Sequence, residues 1–222
     1  MMNPSDIPEL KEIRKIDTIE DAVRLAGFVF STVCHAQETS PLDVQEGIVE
    51  NYKLFKAKKM YGWCHTNGLY YHLLLNHYGR ESYVYNYGLK KHQFTHVVVV
   101  LTIKDDKFLI DPYFNRYYVN KDNEPLTLSN LFDLIKKDPE EIQSVYGEQH
   151  KEVYQEGEKG FVKFTPQRLE HSVINSWKVL SNFDNIMRDN FNSINPLLLI
   201  PQRLGKIKIL NKIENKPYFE FF

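Results

Sequence analysis

Residues 61–79 read YGWCHTNGLYYHLLLNHYG, and residues 95–112 read THVVVVLTIKDDKFLIDP. In the first stretch Gly62 permits a tight turn and Cys64 opens a run that is helical in pattern through His77. Gly79 stands where a C-terminal helix glycine is expected. Gly68 inside that helix costs about 1 kcal/mol relative to alanine, a cost that close packing against another element would explain. The second stretch changes period. Residues 95–103 are rich in β-branched side chains and predict a buried central strand. Residues 104–107 form a polar turn, and residues 107–111 predict the returning strand, stopped by Pro112. A helix followed by a hairpin of this kind predicts an α+β domain.

Upstream, Pro4 and Pro8 predict a loose lead-in over residues 3–16. Ile16, Ile19, Val23, Ala26, Phe30 and Val33 then recur at three- and four-residue steps, one apolar stripe of a helix. Asp17 or Thr18 is placed to cap it. A second helix is expected from Ser40 and Pro41, with Leu42, Ile48, Val49, Tyr52 and Phe55 inward and the basic stretch 56–59 at its end. Residues 82–87 alternate as a strand, and 117–119 as another. Downstream, residues 128–137 and 139–146 predict helices, 148–159 a loop or exposed hairpin, 167–192 mostly helix, and 206–222 a terminal hairpin. The chain thus divides into residues 1–120, N-terminal helices plus the core, and residues 121–222, a mainly helical extension of the same domain.

The 222 residues suffice for one large domain with a proper core. Lysine plus arginine number 28 against 29 acidic residues, so no electrostatic footprint points to nucleic acid or to an anionic membrane surface. The only cysteines are Cys34 and Cys64, which excludes a disulfide framework and fits a reducing compartment. The N-terminus lacks a basic stretch followed by an apolar run, and the longest apolar runs are far too short to span a bilayer. The expectation is a cytoplasmic protein with no membrane partner; nothing in the sequence indicates its oligomeric state.

Thiol catalysis needs a thiolate, a base to form it, a group to orient the base, and donors for the developing oxyanion. A thiol at a helix N-terminus faces the positive end of the macrodipole and unpaired backbone N–H groups, which favour the thiolate and serve as oxyanion donors. Cys64 has that position. Trp63 beside it would wall the acyl site. His96 opens the valine-rich strand and is the expected base; Asp111 closes the next strand and is the expected orienter. Two registers are open. With the turn centred on Lys104 and Asp105, Asp111 lies opposite Val98 and is the diagonal neighbour of His96 on the same face. With the turn centred on Asp105 and Asp106, it lies opposite Val100, too far from His96 without a bulge.

The order of these residues resembles the transglutaminase-like superfamily, which shares a papain-like arrangement of cysteine, histidine and aspartate. The resemblance rests on Gly62-Trp63-Cys64, on Thr95-His96-Val97-Val98-Val99 and on Leu109-Ile110-Asp111-Pro112, and covers residues 60–115. It implies helices packed on an antiparallel sheet and acyl transfer through a thioester: amide hydrolysis, deamidation or cross-linking, as in a transglutaminase-like cysteine protease. Cys64, His96 and Asp111 carry over as nucleophile, base and orienter, with Trp63 and Tyr113 lining the substrate site. No cofactor is implied, and the substrate is a peptide, a protein or a small amide or thioester. Arylamine N-acetyltransferases have the same triad order. This chain has Tyr61-Gly62-Trp63 where they carry Arg-Gly-Gly, and Asp111-Pro112-Tyr113-Phe114 where they favour Asp-Val-Gly-Phe. A third reading is a binding or scaffold domain of the same fold that no longer uses its triad.

Other residues invite plainer readings. Cys34, on the first helix stripe, reads as a small buried hydrophobe. His65, His72 and His77 with Cys64 lack any zinc-binding spacing and read as helix-surface or cleft histidines. Most of the 14 tyrosines fall between Tyr61 and Tyr118. They line an aromatic cleft or, more simply, pack a sheet against helices with their hydroxyls wet.

Overall fold

The computed structural model describes residues 4–36, 44, 47–88, 95–147, 150–155 and 158–163. Its class is α+β. The lead segment is not loose. Two short 3₁₀ turns, Pro4–Asp6 and Pro8–Leu10, bring Ile7, Leu10, Ile13 and Ile16 into the core, where all four are buried. The prolines shape these turns, and the three-residue spacing of the apolar residues matches one side of such a path. Glu9 then ties the segment down, accepting from Tyr52 Oη at 2.9 Å and pairing with Lys56 at 2.9 Å.

Helix α1 spans Ile19–Thr32. Of the two candidate caps, Thr18 is the one used. Its hydroxyl accepts from Asp21 N–H while the Asp21 carboxylate accepts from Thr18 N–H, a reciprocal capping box. The inward face runs through Ile19, Ala22, Leu25, Ala26 and Val29; Val23 is only half-buried, so the stripe turns slightly from the expected one. A short strand β1, His35–Ala36, follows. Helix α2 is Ile48–Lys56 with Gly47 at its N-cap. The cap and start expected at Ser40 and Pro41, with Leu42, lie outside the described residues. Val49 and Phe55 are buried as expected.

Helix α3, Cys64–His77, is the central element. It ends at Gly79 with φ 72°, whose N–H donates to Asn76 O at 3.0 Å, and Arg80 N–H donates to Leu75 O at 2.9 Å. These are the two bonds of a Schellman motif, and the left-handed residue they require is the expected glycine. Three strands follow: β2 Ser82–Gly88, β3 Thr95–Ile103 and β4 Asp106–Ile110, forming one antiparallel sheet in the order 2-3-4. Helix α3 lies against β3. A Cβ added to Gly68 would come within 2.7 Å of Val97 Cγ1, so the glycine is what permits this approach. On the α3 side, Val97, Val99, Leu101 and Ile103 join the core made by Leu25, Val29, Leu69 and Leu74. On the other face Val98, Val100 and Leu109 are buried too. Burial on both sides is why this strand reads as a continuous apolar run.

Strand β5, Arg116–Val119, leads to α4, Leu128–Lys137, whose N-cap Thr127 accepts from Asn130 N–H. The helix expected over 139–146 is instead a 3₁₀ turn, Pro139–Glu141, and a strand β6, Gln143–Tyr146, paired antiparallel with β5. Glu140 and Glu141 favour a helix locally, but Val145 and Tyr146 suit a strand, and pairing with the open edge of β5 decides between them. The polar stretch after it is a hairpin of β7, His150–Gln155, and β8, Glu158–Lys163, with β7 also pairing parallel to β1. Within the described residues the segment from 121 onward is therefore one helix and three strands, not mainly helical. The helix expected over 167–192 and the hairpin over 206–222 lie outside the described residues. No helix among the described residues is long and apolar enough to cross a membrane.

Candidate active site

Cys64 is the first residue of α3, and no side chain caps that helix end. The backbone of Trp63, the N-cap residue, is extended, with φ −102° and ψ −156°. Its carbonyl accepts both Asn67 N–H at 3.1 Å and Asn67 Nδ2 at 2.7 Å, which fastens the first turn. Just upstream, Gly62 N–H donates to Cys34 O at 3.0 Å and anchors the approach to the end of α1. Cys64 is half-buried, while Trp63 is 49% exposed beside it.

The hairpin resolves the register. Ile103 pairs with Asp106 and Val99 with Ile110, so the turn is Lys104 and Asp105, with Lys104 in the left-handed region at φ 57°. This is the register that sets Asp111 diagonal to His96, and the side chains meet: His96 Nε2 lies 2.8 Å from Asp111 Oδ2. The same imidazole lies near enough to the Cys64 side chain for the two to interact electrostatically. With Nε2 engaged by Asp111, Nδ1 is the nitrogen left for the thiol. The His96 side chain is 17% exposed and that of Asp111 fully buried.

Burial opposes a charge on His96, but the Asp111 carboxylate and the Cys64 side chain outweigh it and push the imidazole up to about 9. Burial likewise opposes the charge on Asp111, yet His96, Arg116 and the Phe114 N–H hold its carboxyl below the ordinary range. Each oxygen of Asp111 is engaged. Oδ1 accepts Phe114 N–H at 3.1 Å; Oδ2 accepts Arg116 Nε–H at 3.0 Å as well as facing His96. Arg116 was not among the residues expected from sequence. It lies across the bend that follows β4, where Asp111 N–H donates to Arg116 O at 2.9 Å and Arg116 N–H to Asp111 O at 3.0 Å. The only sequence signal for it is an arginine returning next to an aspartate across a Pro112-to-Asn115 bend.

Two aromatic rings border the imidazole. Tyr113 meets His96 edge-on with ring centroids 6.1 Å apart, and Phe114 lies 5.2 Å from it. Tyr113 is thus beside the base, and Phe114 joins it. The other sequence candidates disperse. His72 is buried rather than on a surface or in a cleft: Nδ1 is 2.7 Å from Ser82 Oγ and Nε2 is 3.0 Å from Asn76 Nδ2. Burial pushes its imidazole down to about 4. Among the described residues no group of three His, Cys, Asp or Glu is placed to hold a metal ion. Tyr70 and Tyr71 are buried core residues whose hydroxyls donate to Ile48 O and Ala22 O, so they bind helices together rather than line a cleft. Cys34 is buried, with Lys58 Nζ 2.8 Å from its sulfur. No protein-family model, curated protein or solved structure matches this chain.

Proposed function

We propose that the chain is a cysteine-dependent acyl-transfer enzyme of the transglutaminase-like, papain-like type, acting on an amide or thioester carbonyl. The observation that carries this reading is the juxtaposition of Cys64 at a helix N-terminus, His96 interacting with it, and Asp111 bonded to His96 from the adjoining strand. A cysteine, a histidine and a buried carboxylate joined in that order are the parts that nucleophilic thiol catalysis requires.

In this mechanism His96 takes the proton of Cys64, and Asp111 fixes the ring and stabilises the imidazolium. The thiolate attacks the carbonyl carbon. Backbone N–H groups in the first turn of α3 face the oxyanion, since helix N-termini leave such donors without intrahelical partners. His96 then returns its proton to the leaving amine or thiol, which departs as the acyl-enzyme forms. Water or an amine, deprotonated by His96, resolves the thioester. Trp63 and Tyr113 flank the reacting centre and would hold the acyl group.

The test is to trap the intermediate. Incubation with p-nitrophenyl acetate followed by peptide mass spectrometry is expected to find the acetyl group on Cys64, with the adduct lost in Cys64→Ser and reduced about 10²–10⁴-fold in rate in His96→Ala. Acetylation spread over surface lysines, with Cys64 unmodified, would refute the reading.

A further inference from the structure

Arg116 is the largest of the fully buried side chains described, at 1% exposure, and it is charged, which raises the question of what it is for. Buried ion pairs are weak contributors to stability, because desolvation consumes most of the Coulombic gain and an apolar replacement often folds as well. An arginine in such a place is better explained by what it holds.

We infer that Arg116 is a positioning residue for the thiol site, fixing Asp111 as the oriented, ionised partner of His96. This rests on the acyl-transfer reading above. The geometry is specific. Arg116 Nε and Nη2 both lie 3.0 Å from Asp111 Oδ2, the oxygen that His96 Nε2 meets at 2.8 Å. With Oδ1 engaged by Phe114 N–H, the carboxylate cannot rotate without breaking contacts on both oxygens. The guanidinium is itself fixed. Its carbon lies 4.9 Å from the Phe114 ring and 5.6 Å from the Tyr118 ring, and Phe114 in turn packs on His96. Backbone bonds in both directions lock residues 111 and 116 together.

The charge balance gives Arg116 a second consequence. The ionisable groups that meet here are Cys64 from α3, His96 from β3, Asp111 at the end of β4 and Arg116 from β5. Without Arg116, the Asp111 anion alone would neutralise the imidazolium. With it, Asp111 and Arg116 cancel, and the positive charge of the imidazolium is left facing Cys64. Lysine would supply the charge but not the planar two-nitrogen contact, and glutamine would supply a donor but no charge.

The test is to follow the Asp111 carboxyl carbon by NMR against pH in the wild type, Arg116→Lys and Arg116→Gln, alongside Cys64 alkylation by iodoacetamide, with folding checked by circular dichroism. The wild-type carboxyl is expected to titrate below the ordinary 3.8. In Arg116→Gln its midpoint should rise by about 1–3 pH units, with Arg116→Lys restoring most of the shift. Alkylation at pH 6 should slow by about 10²-fold in Arg116→Gln and less in Arg116→Lys. A merely structural arginine would lower thermal stability and leave the carboxyl midpoint in place, which overturns the inference. So does a wild-type carboxyl titrating at or above 3.8, and that reading needs no variant to fold. If instead the carboxyl moves as expected but Cys64 alkylation is indifferent to His96→Ala, the acyl-transfer reading fails. The positioning role fails with it, leaving only an ion pair.

Discussion

At the scale of single residues, the site depends on one oxygen. Asp111 Oδ2 faces both His96 and Arg116, so replacing it tests the orientation of the base without touching the nucleophile. In Asp111→Asn the imidazole loses the carboxylate that holds it up, and its titration, followed by ring NMR, should fall from about 9 toward or below the ordinary 6.5. Esterase turnover should fall by about 10²–10⁴-fold. An unchanged imidazole titration would contradict the assigned role. Cys64, His96 and Asp111 were legible from sequence because each stands at an element boundary marked by local signals: a glycine before a helix, a valine run, a proline after a strand. Arg116 and Phe114 were not, because their roles arise only once the bend after Asp111 brings residue 116 back beside residue 111. His72 was misplaced for a related reason. A histidine inside a helix carries no sign of whether a buried Ser82 will meet it.

At the scale of elements, the site is assembled by the contact of α3 with β3. Gly68 sits one turn after Cys64, and Val97 follows His96, so the packing distance between these elements sets the distance between thiol and imidazole. Alanine at position 68 gains about 1 kcal/mol of helix propensity. Its Cβ would, however, stand 2.7 Å from Val97 Cγ1, on a stiff β-branched side chain buried in the core. Overpacking of that kind costs about 1–3 kcal/mol. Gly68→Ala is therefore expected to lower the urea midpoint and to slow Cys64 acylation together; a stabilised, fully active Gly68→Ala would show that close approach is not what the glycine supplies. Val97→Ala in the same background should recover part of both losses. Elements with strong local signals, α1, α3, β3 and the β3–β4 turn, were readable because propensity and burial agree there. Strand β6 was not: Glu140 and Glu141 just before it favour a helix, and only its pairing with β5 overrides them. The lead segment's order is hidden because Pro4 and Pro8 suggest a loose chain, while the three-residue spacing of Ile7, Leu10, Ile13 and Ile16 is what sets it in the core.

At the scale of the whole molecule, two histidines with opposite displacements shape stability against pH. His96 is raised to about 9 from 6.5, so its contribution is fully present below about pH 6.5 and is lost as pH climbs through 9. His72 is lowered to about 4, so the folded state resists protonation. Its contribution is present above about 6.5 and is lost as pH falls through 4. By linkage that loss is on the order of 3 kcal/mol. Asp111, held below 3.8, adds a further loss at more acid pH. Urea unfolding across pH should thus find a maximum near 6.5, with the acid flank flattened in His72→Gln and the alkaline flank flattened in His96→Gln; flanks that respond to neither substitution would refute these assignments. The central claim, that Cys64 and His96 act as one unit, is tested most directly by the rate of Cys64 alkylation by iodoacetamide at pH 6, followed peptide by peptide so that Cys34 is resolved separately. An isolated thiol of ordinary pKa near 8.5 is under about 1% thiolate there. Rapid alkylation of Cys64 at pH 6 that collapses in His96→Ala is the expected result; a Cys64 that stays slow at pH 6, or reacts equally in both proteins, would contradict it.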